Sequence, residues 1–138
     1  MTLHVYTARH SAYAGDDALD IMRGTAEEYR ARGSIAPGEP WAPPRWLLDI
    51  ALGRASALPF TVPTPPKRTE APVFFRWYAD RYREVLDLSS RLYLPAWMWL
   101  EAQESVTLLC ACVNPSACHR VVCAQYLAAR GAVYEGER

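Results

Sequence analysis

Three of the four cysteines of this chain fall within one short segment, LLCACVNPSACHR, which covers residues 108–120. The same segment holds one of the three histidines and ends in an arginine. Thiols and imidazoles act as nucleophiles, proton carriers and metal ligands in proteins, and guanidinium groups bind anions. The residue types are therefore compatible with a metal site, a catalytic site, an anion-binding turn, or core cysteines beside a turn.

The spacing favours a helix N-terminus that binds an anion and presents a nucleophile. We predict Ser116 as the N-cap of the last helix, so that the N–H groups of the first turn hold an anion. Arg120 would add a bidentate contact to phosphate or carboxylate. A helix N-terminus commonly lowers the pKa of a thiol, which makes Cys118 the predicted nucleophile. Because Cys118 and His119 would point about 100° apart on a helix, the predicted base for Cys118 is His10, with His119 as a second proton carrier.

A metal site is the less favoured interpretation of the same segment. Zinc sites usually take pairs of ligands two to four residues apart, whereas Cys110 and Cys112 are separated by one residue on a predicted strand. The simplest interpretation of Cys110, Cys112 and Cys123 is that they are small buried apolar residues. From the sequence we assign no metal ligand and no cofactor, and a zinc-stabilised domain remains an alternative.

The elements around this segment predict an α/β fold, a small three-layer open sheet that is mostly parallel and Rossmann-like. Residues 3–8 and 105–113 read as buried strands, residues 18–22 as a short strand, and residues 132–134 as a last strand. Helices are predicted in five segments: residues 24–33 (alternatively a loop), 45 to near 53, 73–89, 95–103 and 118–131. Ligands of such sheets bind beyond the carboxyl ends of the strands. The loop after the first strand and the turn before Cys118 would meet there.

Four other residues are candidates because of their place in this scheme. Arg9 follows the first strand and is a predicted anion contact, although an ordinary polar loop is as good an explanation. Asp20 and Arg23 flank an apolar pair and would form an ion pair, either at the site or in the scaffold. Trp46, beside a proline pair, is the tryptophan best placed to contact a ligand, but the five tryptophans are more simply explained as core.

The totals limit the function classes. The 138 residues predict one domain, 1–138, with a proline-rich irregular segment at about 34–72. Fifteen basic residues balance fifteen acidic ones, which excludes a strongly basic nucleic-acid footprint. No apolar run reaches membrane length and the start does not resemble a signal peptide, so we expect a cytoplasmic protein with reduced thiols and no membrane partner.

Four segments together resemble the domain of unknown function 488 family, in order along most of the chain. They are YTARHSAYAGDDALDIMRG, WAPPRWLL, WYADRYREVL and VTLLCACVNPSACHRVVCAQYLAARGAVYEGE. The most specific part is an apolar strand ending in Cys, a short loop, Cys-His-Arg and a helix ending in Gly. The resemblance implies a small Rossmann-like domain of bacterial, archaeal or phage origin and names no reaction. The family's motif positions fall here on Arg9, Asp20, Arg23, Cys118, His119 and Arg120.

We therefore expect an enzyme or binding domain for a phosphate-bearing ligand at the Cys-His-Arg turn. The partner would be a small anion, a nucleotide or a nucleic acid. The alternative is a non-catalytic nucleic-acid or protein-interaction module that uses the tryptophans and the proline-rich stretch.

Overall fold

The structure, a computed structural model, describes residues 2–54, 56–59, 61–112 and 118–138. Its centre is a four-stranded sheet in which every neighbouring pair is parallel, in the order β2-β3-β1-β4. The strands are β1 (His4–Arg9), β2 (Ala18–Asp20), β3 (Ser105–Cys110) and β4 (Val133–Glu137). All four predicted strands are confirmed, and the last is longer than the predicted 132–134.

Strand β3 occupies the middle of the sheet and is buried from Val106 to Cys110. This burial agrees with its uninterrupted apolar sequence, which suits a strand covered on both faces. In the register of the sheet, Arg9 at the end of β1 lies opposite Cys110, and Asp20 at the end of β2 lies opposite Leu109. The carboxyl ends of β1, β2 and β3 are therefore level, and the side chains that follow them are brought together.

The helices of the described residues fall in the predicted segments. They are α1 (Arg23–Ala31), α2 (Arg45–Ala51), α3 (Ala71–Leu92), α4 (Leu94–Glu101) and α5 (His119–Ala129), with short 3-10 turns at His10–Ala12 and Glu39–Trp41. Pro72 and Pro95 are the second residues of α3 and α4, where the missing N–H of proline costs no helical hydrogen bond. After α5, Gly131 adopts a positive φ of 114°, which lets the chain turn back into β4.

The tryptophans belong mainly to the core. Trp41 and Trp97 are fully buried with ring centroids 5.6 Å apart, and Trp77 is nearly buried. Trp46 packs against the same core from its edge, and Trp99 is exposed. Three of the five tryptophans are therefore core residues, and the interaction-module hypothesis stays a prediction.

The topology confirms the predicted fold class, an α/β open sheet of the small Rossmann-like kind. Helices α3 and α5 pack against each other, and α5 also contacts β1, β3 and β4. Within the described ranges, no helix combines the length and the apolar character needed to span a membrane.

Candidate functional site

The carboxyl end of β3 and the start of α5 bring three thiols and an imidazole together. Cys110 is the last residue of β3, Cys112 lies just beyond it, Cys118 is the N-cap of α5 and His119 is the first residue of that helix. The three Sγ atoms and a ring nitrogen of His119 all lie within 4.8 Å of one another. We call these four residues the cysteine cluster.

The individual distances show a compact group. The Sγ of Cys110 lies 3.1 Å from that of Cys118, 3.5 Å from that of Cys112 and 3.5 Å from Nδ1 of His119. The Cys118 Sγ lies 4.0 Å from the same nitrogen. Cys110, Cys118 and His119 are buried and Cys112 is half-buried. The inner side of the cluster is thus closed, and the sulfur of Cys112 is more accessible than the other two.

The start of α5 differs from the prediction, and the difference explains this geometry. The N-cap is Cys118 rather than Ser116, and Ser116 lies outside the described residues. Cys118 has an extended backbone, with φ −129° and ψ 144°. The helical separation expected between Cys118 and His119 therefore does not apply. Cys110 and Cys112 do not share a strand, because β3 ends at Cys110, but their Sγ atoms lie 3.5 Å apart.

His119 is held in one orientation by the backbone. Its Nε2 lies 3.1 Å from the carbonyl oxygen of Ile21, and since a carbonyl only accepts, Nε2 carries the hydrogen. Nδ1 then presents a lone pair to the sulfurs. The ring packs against Tyr82 in a T-shaped arrangement, with centroids 5.6 Å apart. Burial lowers the pKa of His119, which favours the neutral imidazole.

Hydrogen bonding among the thiols concentrates negative charge on one sulfur. The Cys118 thiol donates to Cys110, and Cys110 donates to Cys112. Donation from Cys110 and then from Cys118 lowers the pKa of Cys112 to about 2. The same bond to Cys112 raises the pKa of Cys110 to about 11. Bonds to Cys110 and Cys112 also raise the pKa of Cys118.

Arg120 is buried and engaged within the protein. Its Nε and Nη2 donate to the two carboxylate oxygens of Glu137, at 3.2 and 2.8 Å. Its Nη1 donates to the carbonyl of Cys112 at 2.8 Å and lies 3.5 Å from Sγ of Cys118. Although burial works against it, the bond from Arg120 lowers the pKa of Glu137. Arg120 therefore braces the cluster, and its contact with an external anion stays a prediction.

A cavity of about 700 Å³ opens beside the cysteine cluster. Cys110, Ala111, Cys112 and His119 form its floor. The other lining residues come mainly from the N-terminal parts of α1 and α3 and from α2; they include Met22, Arg23, Thr25, Glu28, Leu48, Arg68, Phe74, Phe75 and Tyr78. The cavity thus lies beyond the carboxyl end of β3, where ligands of open α/β sheets bind.

The residues predicted after β1 and β2 lie beside this site rather than in it. His10 is exposed, and its Nε2 lies 3.6 Å from a carboxylate oxygen of Asp20. Asp20 also accepts hydrogen bonds from the Thr25 hydroxyl at 2.8 Å and the Met22 N–H at 2.9 Å. Arg9 is exposed at the end of β1. The imidazole next to Cys118 is that of His119, so the structure does not support His10 as the base.

Of the remaining predicted residues, Arg23 lines the cavity and Trp46 does not. Arg23 donates to the carbonyls of Pro43 and Ala42, at 2.7 and 3.3 Å, and lies 3.7 Å from Glu39. The expected ion pair between Asp20 and Arg23 is thus replaced by separate partners for each.

The sequence analysis did not identify two features. One is the set of aromatic side chains of α3 that line the cavity, Phe74, Phe75 and Tyr78, which we call the aromatic wall. The other is the partner of Arg120. Residues 73–89 are predicted as a helix, and nothing in that prediction assigns Phe74, Phe75 or Tyr78 to a site. Nothing local marked Glu137, whose separation from Arg120 is 17 positions. The sequence did contain one indication of Phe75. An aromatic residue next to Phe74 makes the apolar face of this helix wider than packing against the core requires.

Fold and site together define an α/β domain with a thiol-rich centre at the carboxyl edge of a parallel sheet. A family model described as DUF488-N3a, "Active DUF488-N3 subclade", matches residues 63–131, half of the chain. The protein belongs to the DUF488 family. No curated protein matches the chain, and no solved structure does.

Proposed function

We propose that this protein is an enzyme that binds a nucleotide-sized ligand in the cavity and acts on it at the floor formed by Cys110, Cys112 and His119. The observation that carries the proposal is the opening of a cavity of about 700 Å³ directly onto the cysteine cluster. Small-molecule sites are typically concave, mainly apolar, and furnished with a few convergent polar groups. The cavity combines these features with reactive side chains.

The lining suggests the shape and charge of the ligand. Phe74, Phe75 and Tyr78 offer aromatic surface on one helix, and stacking on such surface suits a planar base. Arg68 is exposed and donates Nε–H to the carbonyl of Ala51, and its charge suits an anionic group such as a phosphate. Glu28 is the opposing charge on the lining. In this proposal, Arg68 takes the anion-binding role that was predicted for Arg120.

The catalytic part of the proposal has two supports. One is the chemistry of the floor, where sulfur and imidazole nitrogen lie within reach of a bound ligand. The other is the description of the matching subclade as active. We place the reaction in a reducing, cytoplasmic setting, in keeping with the free thiols at all four cysteines.

Thermal unfolding with a ligand panel tests the binding step. The panel holds a nucleoside monophosphate, the matching nucleoside, inorganic phosphate and a short single-stranded oligonucleotide. A bound ligand at about 100 times its Kd stabilises the native state by roughly 2.7 kcal/mol. We expect the nucleotide to give the largest shift, the nucleoside a smaller one, and phosphate alone little.

Two variants locate the site. Phe75→Ala removes aromatic surface and is expected to weaken nucleotide binding about tenfold, since stacking contributes roughly 1–3 kcal/mol per base. Arg68→Gln should weaken binding of the nucleotide but not of the nucleoside. Val73→Ala, an exposed change on the same helix away from the cavity, is the matched control. No shift with any panel member, or equal losses in Phe75→Ala and Val73→Ala, would contradict the proposal.

A further inference from the structure

We propose that the cysteine cluster binds one zinc ion through the Sγ atoms of Cys110, Cys112 and Cys118 and Nδ1 of His119. This inference goes beyond the ligand proposed for the cavity and does not depend on it. An ion held by all four groups would leave none of them as a free nucleophile or base, so with zinc bound the floor would not act on the cavity ligand through a free thiol or imidazole. It reverses the preference of the sequence analysis, which left zinc as the lesser alternative because of the spacing of Cys110 and Cys112.

The distances suit a single tetrahedral ion. With Zn–S bonds of about 2.3 Å and Zn–N bonds of about 2.0–2.1 Å, the ligand atoms of a tetrahedron lie about 3.5–3.8 Å apart. The measured separations are 3.1, 3.5, 3.5 and 4.0 Å for the four contacts that define the cluster. Every pair of the four atoms is within 4.8 Å. The four atoms therefore surround one point at close to bonding distance.

The donor set suits zinc. Three thiolates and one imidazole form one of the usual structural zinc combinations. Soft sulfur ligands disfavour magnesium and calcium, which take oxygen ligands. The fourth cysteine, Cys123, is fully buried in the apolar core and takes no part in the cluster.

The groups around the cluster are those that support a metal ligand. Histidine ligands of zinc usually donate their second ring N–H to a carbonyl or carboxylate, and Nε2 of His119 lies 3.1 Å from the carbonyl of Ile21. Three thiolates and one Zn²⁺ leave one net negative charge. The guanidinium of Arg120 lies 3.5 Å from Sγ of Cys118 and supplies a positive charge there, while Glu137 binds its other edge.

The ion would lie at the floor of the cavity. Cys110, Cys112 and His119 line the cavity, and Cys112 is the most accessible of the four ligands. The opposite side of the ion would be closed by Cys118 and the fully buried Arg120. Zinc would thus tie the end of β3 to the start of α5.

Metal content and thiol protection test the proposal on the full chain. The protein is purified with a reductant, stripped with a chelator, incubated with Zn²⁺ alone, desalted, and analysed for bound metal. We expect close to one zinc per chain, and protection from alkylation of Cys110, Cys112 and Cys118. Replacement by Co²⁺ should give the visible bands and sulfur-to-metal charge-transfer absorption of a tetrahedral thiolate site.

Substitutions then assign the ligands. Cys112→Ser is expected to lower zinc affinity at least tenfold, because Cys112 is the most exposed ligand and its replacement disturbs packing least. Cys123→Ala removes the remaining thiol and should keep full zinc binding and the cobalt spectrum. Zinc affinity is measured by competition with a chromophoric chelator, for the wild type as well as for the variants. The wild-type measurement stands even if a variant fails to fold.

Three outcomes would overturn the proposal. They are a wild-type chain that retains no zinc after loading, a Cys112→Ser variant with unchanged affinity, and a Cys110–Cys118 disulfide that persists under reducing conditions. All of these measurements are made without nucleotide. Failure of the zinc proposal therefore leaves the result of the nucleotide panel unaffected, and the reverse also holds.

Discussion

The protein holds two polar clusters against its sheet, and they are completed in different ways. The aspartate cluster consists of Asp17, Tyr13, Ser105, Thr107 and Arg138. The Asp17 carboxylate accepts from the hydroxyls of Tyr13, Ser105 (2.7 Å) and Thr107 (3.1 Å) and lies 3.4 Å from the Arg138 guanidinium. Each member has a partner of opposite polarity, so this cluster is closed by the protein itself.

The cysteine cluster lacks such internal matching. Its sulfurs contact one another and the acceptor side of the His119 ring, and its nearest cation, Arg120, is shared with Glu137. The comparison shows that burial of polar groups is not enough to identify a ligand-binding site. A cluster whose partners satisfy one another stabilises the fold, whereas a cluster whose lone pairs converge on one point is suited to an external ligand.

The largest expected effect comes from removing the brace of the cysteine cluster. Arg120→Met deletes the positive half of a buried pair and leaves the Cys112 carbonyl without its donor. Breaking a buried pair costs about 3–5 kcal/mol, and we expect the lower end because Glu137 is one-third exposed and is rehydrated. Denaturant unfolding measures the loss.

Arg83→Met is the control, because Arg83 forms an exposed pair with Asp80 at 3.0 Å. Exposed pairs contribute about 1 kcal/mol or less. If the two variants lose equal stability, Arg120 is not the brace that its contacts indicate.

A smaller, pH-dependent effect is expected in the aspartate cluster. Burial opposes ionisation, but bonds from Tyr13, Ser105 and Thr107 lower the pKa of Asp17 below its ordinary 3.8. The folded state therefore gains stability from the carboxylate above that ordinary pKa and loses it as the pH falls through the lowered value. Asp17→Asn should lower the free energy of unfolding by about 2 kcal/mol at pH 7. The difference in stability between this variant and the wild type should narrow below about pH 4.

The measurement is thermal or denaturant unfolding of both chains across this pH range. Asp80→Asn, an exposed aspartate on α3, is expected to change stability by less than about 0.5 kcal/mol at every pH. A gap between wild type and Asp17→Asn that stays constant down to pH 2 would show that the charge of Asp17 does not matter.

The smallest expected effect concerns His10, which lies outside both clusters. Its side chain is about half exposed and its contact with Asp20 is 3.6 Å long. His10→Ala should change the free energy of unfolding by less than about 0.5 kcal/mol and should leave nucleotide binding unchanged. A tenfold loss of nucleotide affinity in this variant would restore His10 to the site.

Local sequence patterns predicted most of the scaffold. The apolar run that forms β3, the helical periodicity of α3 and the glycine after α5 each depend on residues close in sequence. The structure confirms these elements with shifts of a few residues at their ends. The same reasoning pointed to the carboxyl edge of the sheet, because a parallel sheet places its loops there whatever their composition.

The first residue of α5 could not be predicted from its neighbours in sequence. Serine is the better N-cap by preference, yet the helix begins after Cys118, whose extended backbone turns its sulfur toward Cys110. The contact between His119 and Ile21 spans 98 positions. A preference of about 1 kcal/mol for one capping residue is easily outweighed by the packing of a buried imidazole and guanidinium.

By itself, the sequence determined that this is an α/β domain with thiols, an imidazole and a guanidinium near the end of a central strand. Only the tertiary structure decided their positions. It turned Arg120 inward to Glu137, brought the donor atoms of Cys110, Cys112, Cys118 and His119 within 4.8 Å of one another, and placed the aromatic wall of α3 in the lining of the same cavity. The physical reason is that secondary structure follows from neighbours in sequence, whereas the direction of a buried side chain is decided by partners contributed by distant parts of the chain.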